Sequence, residues 1–186
     1  MFQYLKKHLK TDVMKIRNLL IFFATALVVI TTNAQSNRIP SIMIKNLEGQ
    51  CINTSEFQND GKPYVVSFWA TWCRPCLKEL TAIDEIYEDW LEEGFKLIAI
   101  STDNARTKNN VMPMVKGRGW QFEFYSDENG DLQRAMGVNM IPHTFILDAN
   151  GNIIEQHRAF SDGMEWEMFE KLKKIMNESK VETPEE

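Results

Sequence analysis

The chain of 186 residues carries 21 Lys and Arg against 26 Asp and Glu, a net charge of −5, and holds no basic stripe, which argues against nucleic-acid binding. With 44% hydrophobic residues it can build one substantial core in a single domain. Three cysteines are too few for a disulfide-stapled scaffold, so a close pair among them is better explained by chemistry than by architecture.

The first segment reads as an export signal. Lys6, Lys7, Lys10, Lys15 and Arg17 form a positive leader, and Leu19 to Ile30 is a largely apolar run of twelve residues. Thr32-Asn33-Ala34 supplies small residues for cleavage after Ala34. The run is short for a membrane span, which needs roughly 20 apolar residues. The alternative is an uncleaved anchor through residues 19–30. Met14-Lys15-Ile16-Arg17 would itself make a good signal start, which leaves the true start codon open between Met1 and Met14. Removing residues 1–34, which hold five basic residues and one acidic, leaves 16 basic against 25 acidic, or −9. Export implies a compartment in which disulfides persist.

Ile42 and Ile44 alternate with polar residues, and Cys51-Ile52 returns as the second arm of a hairpin across Glu48-Gly49. Ser55-Glu56-Phe57 suggests a helical turn, and residues 59–63 punctuate the chain. Tyr64 to Trp69 is an apolar, β-branched and aromatic run, which predicts a buried strand. It leads through Ala70-Thr71-Trp72 into Cys73-Arg74-Pro75-Cys76 and a segment of helical period. Two thiols at this strand-to-helix junction can close a small ring by oxidation. The first sits at a helix N-terminus, where free backbone N–H groups and the macrodipole favour the thiolate, and Arg74 adds local positive charge. The pattern points to a redox site.

Leu80, Ile83, Tyr87, Trp90 and Leu91 recur at helical spacing and predict one amphipathic helix ending near Gly94. Phe95 to Ile100 predicts a strand closed by Ser101-Thr102-Asp103, residues 107–116 a helix, and Trp120 to Tyr125 a short strand. Asp127 to Asp131 is a loop before a short helix, Leu132 to Met136. Its acids do not match a calcium loop, which needs glycine at position six and glutamate at twelve. Thr144 to Leu147 and Ile153 to His157 flank the turn Asp148–Asn152 as hairpin arms. Met164 to Met176 is a closing helix, and residues 179–186 an acidic disordered tail. Trp69, Trp90, Trp120 and Trp166 are expected in or at the margin of the core, Trp72 at the surface beside the cysteines, the methionines between Met112 and Met140 as core filler rather than the lining of a client groove, and Cys51 as a small apolar residue of the hairpin rather than a third redox partner. Alternating strands and helices describe an α/β protein, a mixed sheet with helices on both faces.

Over residues 39–176 the chain resembles the thioredoxin superfamily, within it the TlpA/ResA-like exported thiol–disulfide oxidoreductases. The match rests on Phe68-Trp69-Ala70-Thr71-Trp72-Cys73-Arg74-Pro75-Cys76 and on Gly137-Val138 through Ile141-Pro142-His143-Thr144-Phe145-Ile146. The resemblance implies a thioredoxin-like fold with a central mixed β-sheet flanked by helices, an N-terminal β-hairpin and an extra helix–strand insert at residues 107–125. It divides the chain into 1–34, a domain of 35–178, and the tail. It implies that Cys73 attacks and Cys76 resolves, the two forming the disulfide, and that Glu79, three residues on, tunes the thiols. Pro142 would be a cis-proline, the kind of residue at which a cis bond is affordable. Trp72, Arg74, Pro75, Ile141, Pro142 and His143 would meet the substrate. The chain departs from thioredoxin at Ser67, where thioredoxin has a buried aspartate, so proton transfer from Cys76 would rest on Glu79 or water.

The implied activity is reduction of disulfides in envelope client proteins, with cytochrome c maturation as one task and a membrane protein as electron donor. No cofactor or metal is implied, and a monomer is expected. The rival reading is a copper-handling domain using Cys73, Cys76 and His143, since thiolates with an imidazole suit that metal. A zinc site would need a second ligand pair, which Cys51 and the scattered histidines do not supply. A peroxidase would need its own single-cysteine motif, which is absent.

Overall fold

β3 (Tyr64–Trp69) is buried along its whole length, as a continuous apolar run with no polar alternation demands of a central strand. The computed structural model describes residues 37–182. The signal, cleavage and anchor readings of residues 1–34 therefore fall outside the described residues. β3 lies in a seven-stranded sheet of order β2-β1-β5-β4-β3-β6-β7. The other strands are β1 (Met43–Asn46), β2 (Cys51–Asn53), β4 (Leu97–Ser101), β5 (Glu123–Ser126), β6 (His143–Leu147) and β7 (Ile153–His157). β3, β4 and β5 run parallel, while β6, β7 and the β1–β2 hairpin add antiparallel edges. The sheet is mixed, with the hairpin and insert that the sequence predicts.

Five helices, α1 (Arg74–Glu85), α2 (Tyr87–Glu93), α3 (Val111–Arg118), α4 (Asp131–Ala135) and α5 (Met164–Glu182), lie among the described residues. Alternation along β3 divides two cores. Val65 and Trp69 face a cluster with Cys73, Cys76, Leu80 and Ile83 of α1, Trp90 of α2 and Phe169 and Leu172 of α5. Tyr64, Val66 and Phe68 face the other way, with Ile98, Ile100, Phe145 and Leu132 of α4.

Several expectations are corrected. The single helix after the cysteines is two, because Ile86 leaves helical geometry at φ −120° and ψ 13°. The 3–4 spacing of the apolar residues continues across that break and conceals it, although Leu91 is in fact exposed. The second helix stops at Gly94, whose φ of 77° is the left-handed cap that glycine adopts without a Cβ clash. Helix α5 runs on to Glu182, so residues 179–182 are helix rather than tail. Trp166 and Met140 are exposed rather than buried. Cys51 stands in the hairpin, on β2, but is exposed and unbridged. It sits on β2, four strands from β3, about 19 Å away at the usual strand spacing.

Candidate active site

The C-terminal ends of parallel strands β3 and β4 and the start of antiparallel β6 open on one edge of the sheet. The loops of residues 70–73, 102–104 and 139–142 therefore meet at that edge. In the first, Cys73 N–H donates to Ala70 O at 3.0 Å and closes a tight turn. Cys73 is then the N-cap of α1: its Sγ accepts from Cys76 N–H at 3.2 Å. Pro75 occupies the first turn, where its missing N–H costs no helical hydrogen bond.

Cys73 and Cys76 are joined by a disulfide, with Cα atoms 5.3 Å apart. Cys73 keeps 5% of its surface and Cys76 none, so an attacking sulfur meets Cys73 first. Around it Trp72 is 63% exposed, and Arg74 and Pro75 are exposed as well. The Ile141–Pro142 bond is cis, as the resemblance implies. Ile141 is half-buried and packs on the cluster that holds both cysteines.

Glu79 lies one turn beyond Cys76 on the same face of α1 and is 1% exposed. Its carboxyl oxygens lie 2.8 Å from Ser67 Oγ on β3 and 2.7 Å from Thr144 Oγ1 on β6. The two hydroxyls are 3.0 Å from each other. Burial pushes the Glu79 carboxyl up to about 7, against the opposing pull of the Thr144 and Ser67 hydrogen bonds. Ser67, the departure from thioredoxin, is thus a partner of Glu79.

His143 does not join the site. It pairs with Phe68 in register, whereas Thr144 pairs with Ser67, so the pleat turns His143 to the face away from the cysteines. There its ring stacks on Phe145 at 4.4 Å and its Nε2 lies 2.9 Å from Gln156 Oε1. Burial holds it below the ordinary imidazole range, and it is neither a substrate contact nor a third ligand with the thiols. Among the described residues no three His, Cys, Asp or Glu side chains gather as a metal site. The copper reading loses its imidazole.

One residue beyond the expected set is Asp103, fully buried after β4. Its carboxylate accepts from Thr71 N–H at 2.8 Å, Thr71 Oγ1–H at 2.7 Å and Ser101 Oγ–H at 2.9 Å. Thr102 N–H and Oγ1–H both donate to Trp69 O. The loop after β4 therefore clamps the turn that presents Cys73. The sequence signal was an acid directly after a central apolar strand, at the end of the sheet where sites form.

Residues 36–156 match the AhpC/TSA family. Over 136 residues, 73% of the chain, it is 32% identical to the thiol-disulfide oxidoreductase ResA of Bacillus thuringiensis subsp. konkukian, covering 75% of that protein. A thioredoxin-like protein from Porphyromonas gingivalis superposes with a TM-score of 0.68 at 43% identity, over 75% of this chain and 92% of that one. StoA from Bacillus subtilis shares the fold, with a TM-score of 0.57 at 23% identity over 70% of this chain and 97% of that one.

Proposed function

Because the chain belongs to the AhpC/TSA family, and within the thioredoxin superfamily to its ResA-like thiol–disulfide oxidoreductases, we propose that it is an exported reductase of protein disulfides. The observation that carries the reading is the Cys73–Cys76 bond at the N-cap of α1, under an exposed Trp72.

In the forward half-cycle the Cys73 thiolate attacks one sulfur of a client disulfide. A Cys73–client mixed disulfide forms and the other client sulfur leaves as thiolate. Cys76 gives its proton to the Glu79 carboxylate and its thiolate attacks Cys73 Sγ. The second client thiolate is released, and the two electrons gained by the client leave the enzyme as the Cys73–Cys76 disulfide. A dithiol on a membrane donor protein reverses the sequence and restores the reduced enzyme. The N-terminal end of α1 and the Arg74 guanidinium favour the thiolate on Cys73, while Glu79 serves the buried Cys76. Trp72, Pro75 and Ile141 form the surface that meets an extended client segment, with the cis-proline Pro142 buried beside them. Clients with exposed cysteine pairs, among them the haem-attachment pair of an apocytochrome c, suit a Cys73 sulfur set beside the exposed Trp72.

Residues 1–34 direct export, with cleavage after Ala34; the intact mass of the envelope protein separates this from an anchor retained at residues 19–30. The reading is tested by expressing Cys76→Ala in the native envelope. Mixed disulfides should accumulate through Cys73 and vanish in the Cys73→Ser/Cys76→Ala pair. Recovery of no disulfide-linked protein would contradict it.

A further inference from the structure

We propose that Ser67 and Thr144 are positioning residues that seat a protonated Glu79 in a closed ring of three hydrogen bonds, one helical turn beyond Cys76, and ease the loss of its proton to that thiolate; the inference rests on the dithiol cycle above. Three side chains from β3, α1 and β6 meet at three oxygen–oxygen contacts: Glu79–Ser67 at 2.8 Å, Glu79–Thr144 at 2.7 Å and Ser67–Thr144 at 3.0 Å. All three residues are buried, none more than 1% exposed. No Lys, Arg or His forms an ion pair with Glu79 among the described residues.

Counting hydrogens decides the protonation state. Three contacts of this length need three hydrogens, and each hydroxyl brings one. An ionised Glu79 brings none, so one contact would set lone pair against lone pair in a site closed to water. A neutral Glu79 brings the third hydrogen. Its O–H donates to Thr144, Thr144 donates to Ser67, and Ser67 donates to the other carboxyl oxygen. Every hydroxyl then donates once and accepts once, the arrangement that leaves no buried polar group unpaired.

The ring also explains how the carboxyl changes state without moving. When a donor thiolate attacks Cys73 Sγ, the Cys73–Cys76 bond breaks and a donor–Cys73 disulfide forms. The electron pair leaves on Cys76 Sγ, and the Glu79 proton passes to it. Glu79 is then a carboxylate, and Ser67 and Thr144 both turn their hydrogens onto it, giving two charge-assisted bonds in place of three neutral ones. The hydroxyls therefore stabilise both forms and bring the charged one within reach near neutral pH. Without them an isolated buried carboxyl would hold its proton to higher pH.

The test is infrared difference spectroscopy of the disulfide form, following the C=O stretch of a protonated carboxyl as pH rises. Wild type should show a buried carboxylic-acid band at pH 6, absent in Glu79→Gln, that disappears with a midpoint near the value of about 7 set by its surroundings. In Ser67→Ala/Thr144→Val the midpoint should move up by at least tenfold in proton concentration, and Thr144→Ser, which keeps the hydroxyl, should leave it in place. Absence of a Glu79-dependent band at pH 6 overturns the proposal, as does an unmoved midpoint in the double variant. Circular dichroism confirms that each variant is folded. Reduction of the same samples by dithiothreitol reads the cycle separately: a wild type that never forms the dithiol would contradict the proposed function, while the band still decides the ring.

Discussion

A carboxyl buried to 1% exposure beside a disulfide, answered by two hydroxyls and no cation, has a cost that depends on pH. The folded Glu79 keeps its proton up to about 7, whereas the unfolded side chain releases it near its ordinary 4.5. Between those values the native state binds the extra proton, so stability of the oxidised protein falls as pH rises through this window. The span corresponds to about 3 kcal/mol. Urea titrations at pH 4.5 and pH 8 should show that loss in wild type and little of it in Glu79→Gln. Glu155 acts in a different window: its hydrogen bond to Lys171 lowers its carboxyl, and its contribution is lost only as pH drops below the ordinary glutamate value.

At the scale of elements, the site is a meeting of chain segments far apart in sequence. Thr71 and Asp103 are 32 residues apart, and Ser67 and Thr144 are 77 apart. Replacing Asp103 with alanine strands the Thr71 N–H and the Thr71 and Ser101 hydroxyls without an acceptor, at a cost of about 3 kcal/mol. Urea unfolding should register that loss, with Asp103→Asn falling between it and wild type. The same geometry explains what the sequence could and could not convey. Cys73 and Cys76 were legible because their signal is local, a thiol pair at a strand-to-helix junction, and Pro142 through the family resemblance carried by Ile141-Pro142 before an apolar strand. His143 was misplaced because adjacency to Pro142 suggests proximity to the thiols. Only the register of β6 on β3 shows that Thr144, one residue later, faces them. Ser67 read as a missing acid for the same reason, since its bond to Glu79 joins a strand to a helix. Asp103 announced itself only as the polar end of a strand.

For the whole molecule, one core carries both stability and the site. The cluster that packs Cys76 and Leu80 of α1 also holds Trp90, Phe169 and Leu172, with Trp90 and Phe169 stacked at 6.4 Å. Leu172→Ala removes a fully buried side chain of that cluster and should cost about 3 kcal/mol in urea unfolding. The couple at Cys73 and Cys76 should keep its potential in that variant. The two-core sandwich was predictable from the run of β3 and the period of the helices. The extent of α5 was not, because a polar, acidic end reads equally as solvated helix or as coil. The proposed activity requires the thiol pair to cycle as a reductant, and equilibration of the protein in glutathione or dithiothreitol buffers measures that directly. We predict a single two-electron transition at Cys73 and Cys76, with a potential nearer thioredoxin's about −270 mV than DsbA's about −120 mV. A thiol pair that shows no such transition, or one poised near the DsbA value, would contradict it.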